Sequence, residues 1–204
     1  GITSAVSQGA AEVTNEAVEE AAREGITISC DINYRANLWK YGKDAHDVLL
    51  PIAQKSDIVF GTADEWKLIT GITPPDFKAT TPDYPIDSAA YKEYFGKASK
   101  ILPKAKKMIV ALRNTLSANH HLLSGVIFAD GKLYTTRIYD IDDVLDPMGV
   151  GDAFIAAYLH AHLKYGDDNQ RCLNFSLAAS ALKNTIQGDF NLSTEQEVEY
   201  LMNG

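Results

Sequence analysis

Cysteine is scarce in this sequence. Cys30 and Cys172 are its only two, far apart and in no CxxC or metal-finger spacing, which argues against a disulfide framework and for a reducing compartment. Long apolar runs are missing as well. No stretch approaches the roughly 18 residues of a membrane span, and the amino end carries neither a basic region nor an apolar signal core. The expectation is a cytoplasmic protein with no membrane partner. Positive charge is in short supply: 19 Lys and Arg stand against 27 Asp and Glu, a formal net charge of -8. That balance speaks against a nucleic-acid partner and favours small-molecule chemistry. The five histidines supply no metal cluster. His160 and His162 lie two apart on a helix and point to different sides, while the adjacent His120 and His121 begin a strand and face opposite ways. No serine or cysteine has a histidine and an acid at a recognisable elbow, so a nucleophilic triad is excluded.

What is present is a globular composition, 46% hydrophobic over 204 residues, enough to bury a sizeable core as one domain or most of one. Element types alternate, with no internal repeat. "SAVSQGAAEVTNEAVEEAAREG" reads as an amphipathic helix stopped by Gly25, and "ITISCDIN" as the strand after it. "DAHDVLLPIAQKSD" is a helix interrupted near Pro51, leading into the strand "IVFG". "TADEWKLITG" has Thr62 as N-cap, Glu65 completing a capping box, and Gly71 as stop. Four prolines between Ile72 and Ile86 dictate a loop. The helix "DSAAYKEYFGKASKIL" and the strand "MIVAL" follow, then "HLLSGVIFAD" and "KLYTTRIY" paired through Asp130 and Gly131. The remainder is helical. Strands alternating with helices predict an α/β fold with a mostly parallel sheet between helices, its ligands at the carboxyl ends of the strands.

The stretch "DPMGVGDAFIAAYLHAHL", Asp146–Leu163, carries the chemistry. The first turn of a helix presents backbone N–H groups without intrahelical partners, together with the positive end of the macrodipole. Gly149 and Gly151 lack a Cβ, so an anion can approach the backbone and the chain can adopt dihedrals closed to other residues. Asp152 sits in that turn, where a substrate hydroxyl could be presented to its carboxylate. The run behind it is apolar almost all the way round, which predicts a helix in the core and a mouth that is no casual surface turn. A phosphoryl-transfer site is the leading reading.

These residues resemble the carboxyl-terminal signature of the ribokinase-like, phosphofructokinase B type sugar kinases, in which an aspartate, two variable residues and a Gly-Ala-Gly-Asp-like anion hole precede a buried helix. Val150 stands where that family usually has alanine. "DINYRANLW", "LRNTLSANHH" and "ALKNTIQGDFNLST" are similar to the 2-keto-3-deoxygluconate kinase branch. The resemblance runs from Gly1 to the carboxyl end and implies the ribokinase-like three-layer fold.

It further implies ATP-dependent phosphorylation of a sugar acid, with Asp152 as base and the amides of Gly149, Val150 and Gly151 holding the transferring phosphoryl group. Arg35 is expected to take the acid's carboxylate as a bidentate partner, with Asn33 and Tyr34 beside it, and Asp189 is expected to contact the sugar acid. Asn174 matches an asparagine near the adenine. Thr62 and Glu65 stand where the family has Asn-x-x-Glu, linked to magnesium and phosphate. "ALRNTLSA" replaces a Thr-x-Gly-x-x-Gly nucleotide loop, which leaves Arg113, Asn114 and Ser117 as phosphate contacts. Asp146 either organises a cation or caps its turn with Pro147. The implied cofactors are ATP and Mg²⁺, with a monovalent cation as a further candidate, and a homo-oligomer is expected at full length. "GITSAVSQGA" resembles a point after the family's first strands, Gly-Gly substrate motif and β lid. Residues 1–204 are therefore expected to be the carboxyl-terminal portion of one kinase domain, without its amino-terminal strands and lid, and inactive alone. Two alternatives stand beside this reading: a fructokinase or ribokinase-like kinase of a neutral sugar, and a non-catalytic nucleotide-binding module.

Overall fold

The computed structural model describes all 204 residues, Gly1–Gly204. Helices and strands alternate as the sequence predicts. In chain order they are α1 (Ile2–Val6), α2 (Gln8–Arg23), β1 (Ser29–Asp31), α3 (Ala45–Gln54), β2 (Ile58–Gly61), α4 (Ala63–Thr70), α5 (Ser88–Ile101), β3 (Lys107–Ser117), β4 (His120–Ala129), β5 (Lys132–Thr135), β6 (Tyr139–Ile141), α6 (Val150–Tyr165), α7 (Asn169–Lys183) and α8 (Glu195–Asn203). The sheet is mixed, in the order β1-β2-β3-β4-β5 with β6 on β4. β1 pairs parallel with β2 and β2 with β3, while β4 and β6 are antiparallel. This is the expected α/β architecture.

The residues group into two compact units. The first comprises Gly1–Pro75, Ala89–Val110 and Phe128–Lys132. Its core is the parallel strand pair Ile58–Gly61 and Met108–Val110, packed against Trp66, Tyr91 and Phe95. The Trp66 ring meets Phe95 edge-on at 5.6 Å and its Nε1 donates to the Ile109 carbonyl at 2.9 Å, so a large side chain is buried with its polar atom satisfied. The capping box at Thr62 and Glu65 starts α4, and Gly71, at φ 70, stops it as expected. Two details depart from the sequence reading. The first helix is divided at Ser7, an extended residue whose hydroxyl accepts from Ala10 N at 3.1 Å and so caps α2. α3 continues through Pro51, because its buried stripe of Leu49, Ile52 and Ala53 holds the helix although one amide donor is missing.

The second unit comprises Asp76–Ser88, Ala111–Ile127 and Leu133–Gly204. α6 and α7 pack as a pair, joined by the Ser176 hydroxyl on the Phe154 carbonyl at 2.6 Å and the Ser180 hydroxyl on the Val150 carbonyl at 3.1 Å. Which of the two helices is immersed differs from expectation. α6 buries one stripe, Val150, Ala153, Phe154, Tyr158 and Ala161, and leaves Leu163 88% exposed. α7 is the central helix, buried nearly all round from Cys172 to Lys183. Under the proline loop lies a small cluster of Ala79, Leu122 and Ile138, covered by Phe77 and Tyr84.

Candidate active site

The mouth of α6 is built by the chain's dihedrals and by one neighbouring loop. Gly149 is the N-cap at φ 73, and the first helical bond runs from Ala153 N to its carbonyl at 2.8 Å. The amides of Val150, Gly151 and Asp152 therefore have no intrahelical partner. A Cβ on Gly149 would stand 1.9 Å from the Asp189 carbonyl oxygen, so both the dihedral and the space demand glycine there. Gly151 differs. Nothing lies within 4 Å of the place its Cβ would take, so a side chain there would meet open space. Asp152 is exposed in the first turn, its carboxylate committed to no other group of the chain.

Asp146 ties this turn to the loop after α7. Its Oδ1 accepts from Met148 N at 2.9 Å and its Oδ2 from Gly188 N at 2.8 Å. Those amides, and then the nearby Lys183 ammonium, hold its carboxyl below the usual carboxylate range. Of the two roles expected for Asp146, the geometry displays the turn-capping one. Asp146, Gly149, Val150, Gly151, Asp152 and Asp189 are thus brought together at one helix end.

In the same unit, Asn174 lines a cavity of about 230 Å³ with Gln170, Thr135, Arg137, Tyr139 and Met202. The volume is that of a subsite, below the roughly 300–1,000 Å³ of whole small-molecule pockets. Gln170 Nε2 donates to the Thr135 carbonyl at 2.9 Å and to Asn174 Oδ1 at 3.0 Å, which orients the Asn174 amide. Arg137 donates to the Leu201 and Met202 carbonyls and closes one side of the cavity.

Arg113, Asn114 and Ser117 lie along the end of β3. β3 runs unbroken to Ser117 and turns at once into β4. Asn114 Nδ2 is spent on the Ala79 carbonyl at 2.8 Å, where it pins the proline loop. Ser117 Oγ donates to Asn119 Oδ1 within the turn at 2.9 Å, and Arg113 is exposed on the strand.

In the first unit, Asn33, Tyr34 and Arg35 follow β1, and Glu65 holds them. Its Oε1 accepts from Tyr34 N at 2.8 Å, while its Oε2 accepts from Thr62 N at 2.7 Å and Thr62 Oγ1 at 3.0 Å. Asn33 has φ 35, a left-handed value that asparagine tolerates better than most residues. The Tyr34 ring stacks on Trp39 at 6.5 Å. Arg35 is exposed and its guanidinium has no partner in the chain. Each carboxylate oxygen of Glu65, like each of Asp146 in the second unit, accepts one backbone N–H, and Glu65 Oε1 and both Asp146 oxygens keep a further lone pair.

Two groups escaped the sequence reading. Asp44, His46 and Asp47 come within 4.8 Å of one another in the first turn of α3. Asp44 Oδ1 accepts from His46 N at 2.8 Å, an N-cap bond that accounts for its place. Lys183 is fully buried at the end of α7, with Nζ donating to the Ile186 carbonyl at 2.8 Å and reaching the Asp146 carbonyl at 3.4 Å. The signal for it was a lysine closing the run "FSLAASALK", in register with the buried Ser176 and Ser180.

A family model described as pfkB family carbohydrate kinase matches residues 1–195. A 2-dehydro-3-deoxygalactonokinase of Haloferax volcanii is 26% identical over 204 residues, covering 100% of this chain and 56% of that protein. The crystal structure of 2-dehydro-3-deoxygluconokinase from Thermotoga maritima superposes with a TM-score of 0.80 at 29% identity, covering 95% of this chain and 55% of that one. A PfkB family carbohydrate kinase from Listeria grayi gives 0.84 at 28% identity, covering 100% and 58%. The chain spans about half the length of the relatives it matches.

Proposed function

The chain belongs to the pfkB family of carbohydrate kinases, and from that premise we propose that the whole protein phosphorylates a sugar acid of the 2-keto-3-deoxygluconate class with ATP. The observation that carries the reading is an exposed, uncommitted Asp152 one residue after Gly151, whose Cβ position is open, in a first turn whose N–H groups have no intrahelical partner. Such a turn suits an anion, and phosphoryl transfer depends mainly on alignment and on stabilising spread-out negative charge. The acceptor hydroxyl gives its proton to the Asp152 carboxylate as its oxygen forms the new bond to the γ-phosphorus. The bond from that phosphorus to the β-phosphate oxygen breaks, and ADP leaves. The amides of Gly149, Val150 and Gly151 receive the equatorial oxygens.

Arg35, free of partners in the chain, is assigned the substrate carboxylate, with Asn33 and Tyr34 beside it and Asp189 as a further sugar-acid contact. Asn174 and its cavity are assigned the nucleobase. Arg113, Asn114 and Ser117 are assigned to the nucleotide side of the site, Arg113 through its exposed guanidinium, while the Asn114 and Ser117 side chains also bond the Ala79 carbonyl and Asn119. Magnesium would neutralise phosphate charge when bound, and the remaining lone pairs of the Glu65 and Asp146 carboxylates are assigned to the ion or its water. Thr62 and Glu65 act through the loop they hold. A homo-oligomer and a cytoplasmic location belong to the same proposal. Asp152→Asn tests it. Nucleotide affinity is expected to stay within about twofold while turnover falls by about two orders of magnitude or more, as for loss of a general base. Turnover within threefold of the parent would remove Asp152 from the chemistry.

A further inference from the structure

A lysine at the last position of a helix ordinarily lays its stem on the surface and leaves its ammonium in water. Lys183 does the opposite. It is the final residue of α7 and 0% exposed, with no carboxylate bonded to it. Burying an ammonium whose bonds go to neutral carbonyls, with the Asp146 carboxylate near but not bonded to it, is unfavourable by the general accounting for buried ions, and an apolar side chain of the same length would avoid the cost. A charge retained under those conditions calls for a use.

Its surroundings indicate one. The ammonium is held by main-chain carbonyls from two segments, Ile186 at 2.8 Å and Asp146 at 3.4 Å. These segments build the mouth of α6. Asp146 carries the turn to Gly149, and the chain after Ile186 leads to Gly188, whose amide Asp146 binds, and to Asp189, whose carbonyl closes over Gly149. Convergent neutral carbonyl oxygens around a single positive charge are how a protein holds a monovalent metal ion, because hard cations take oxygen ligands. Here the cation is covalently part of the chain. We propose that Lys183 is a built-in monovalent cation: a positioning residue that clamps the Asp146 turn to the Ile186–Asp189 loop and places a fixed positive charge behind the anion-binding amides, so that anion binding there requires no potassium or sodium. The nature of the anion rests on the kinase reading above; the clamp does not. The monovalent cofactor that the resemblance suggested is thereby replaced by a side chain.

The test compares the whole protein with Lys183→Ala and Lys183→Met, in potassium chloride and in tetramethylammonium chloride of equal ionic strength. ATP affinity is read by calorimetry and thermal unfolding by circular dichroism. The parent is expected to bind ATP within about twofold, and to melt within about 1 °C, in the two salts. Lys183→Ala opens a space lined by the same carbonyls. It is expected to melt lower in tetramethylammonium and to regain several degrees, with about fivefold or more in ATP affinity, on addition of potassium or methylammonium. Lys183→Met fills the space without the charge and is expected to lose about tenfold in ATP affinity in both salts, the order of one charged hydrogen bond, without rescue by potassium. A parent that binds ATP or melts better in potassium would overturn the proposal, and so would Lys183→Met binding ATP like the parent or an Ala variant that no small cation rescues. If ATP binds no protein in either salt, the kinase reading fails, and rescue of the Ala variant's melting alone decides the role of Lys183.

Discussion

Two glycines two positions apart, Gly149 and Gly151, are expected to answer the same substitution with opposite signs. Alanine at Gly149 must adopt φ 73, which costs a non-glycine residue about 1–2 kcal/mol. Its Cβ would also stand 1.9 Å from the Asp189 carbonyl oxygen. The obstacle is backbone, so the Gly188–Asp189 segment has to move, and overpacking of this kind costs about 1–3 kcal/mol more. The sum is about 2–5 kcal/mol. For a chain of 204 residues each kcal/mol moves the melting temperature by about 2–4 °C, so Gly149→Ala is expected to melt about 4–20 °C lower. Alanine at Gly151 meets nothing within 4 Å and sits in an ordinary helical turn. There it narrows the unfolded ensemble and stabilises by about 0.4–1 kcal/mol, which raises the melting temperature by about 1–4 °C. Function separates from stability at that position, because the added methyl stands where the anion must approach: Gly151→Ala is expected to be the more stable protein and the weaker nucleotide binder. Thermal unfolding by circular dichroism, with ATP titration of both variants, decides. Shifts of the same sign, or a Gly149→Ala melting within 1 °C of the parent, would refute the steric argument.

Arg35→Ala is expected to weaken use of an acidic substrate by about 1.5–3 kcal/mol, the range for hydrogen bonds to a charged group, while ATP affinity is unchanged; equal losses for acidic and neutral sugars would remove its carboxylate role. Asp57 supplies an acid-sensitive stability contribution. Burial of its side chain acts to raise its pKa, but the Ile28 amide at 3.0 Å and the Lys106 and Lys104 ammoniums outweigh burial and hold it below the ordinary value. A depressed folded-state pKa means stability that is present above the unfolded carboxyl's pKa of about 3.9 and is lost as pH falls through the lower folded value. Asp57→Asn should therefore destabilise at pH 7 and flatten the fall in urea midpoint between about pH 5 and 3; a parallel fall in both proteins would count against it.

Much of the fold was legible because its signals are local. Thr62, Glu65 and Gly71 delimit α4 through hydrogen bonds within a turn, and Asp130 and Gly131 have the positive φ values that their hairpin needs. The α6 mouth was legible for the same reason: Gly149, Gly151 and Asp152 declare a helix start by themselves. What stayed hidden depended on partners distant in sequence. α7 reads as half polar, yet Ser176 and Ser180 satisfy their hydroxyls on α6 carbonyls and so can be buried, while apolar α6 exposes Leu163. β3 runs through Arg113 and Asn114 because the β4 strand and the Ala79 carbonyl give that stretch its partners. Lys183 closes a helix, where a lysine ordinarily leaves its ammonium in water. Only the return of the chain past Ile186 and Asp146 gives its ammonium carbonyls to hold.

The measurement that tests the central claim most directly is ADP release by the whole protein, with ATP and Mg²⁺, across a panel of 2-keto-3-deoxy sugar acids and neutral sugars. The account predicts turnover with a sugar acid, a preference over ribose and fructose, and loss of that turnover in Asp152→Asn. ATP binding without turnover of any sugar acid, or a preference for neutral sugars, would contradict it.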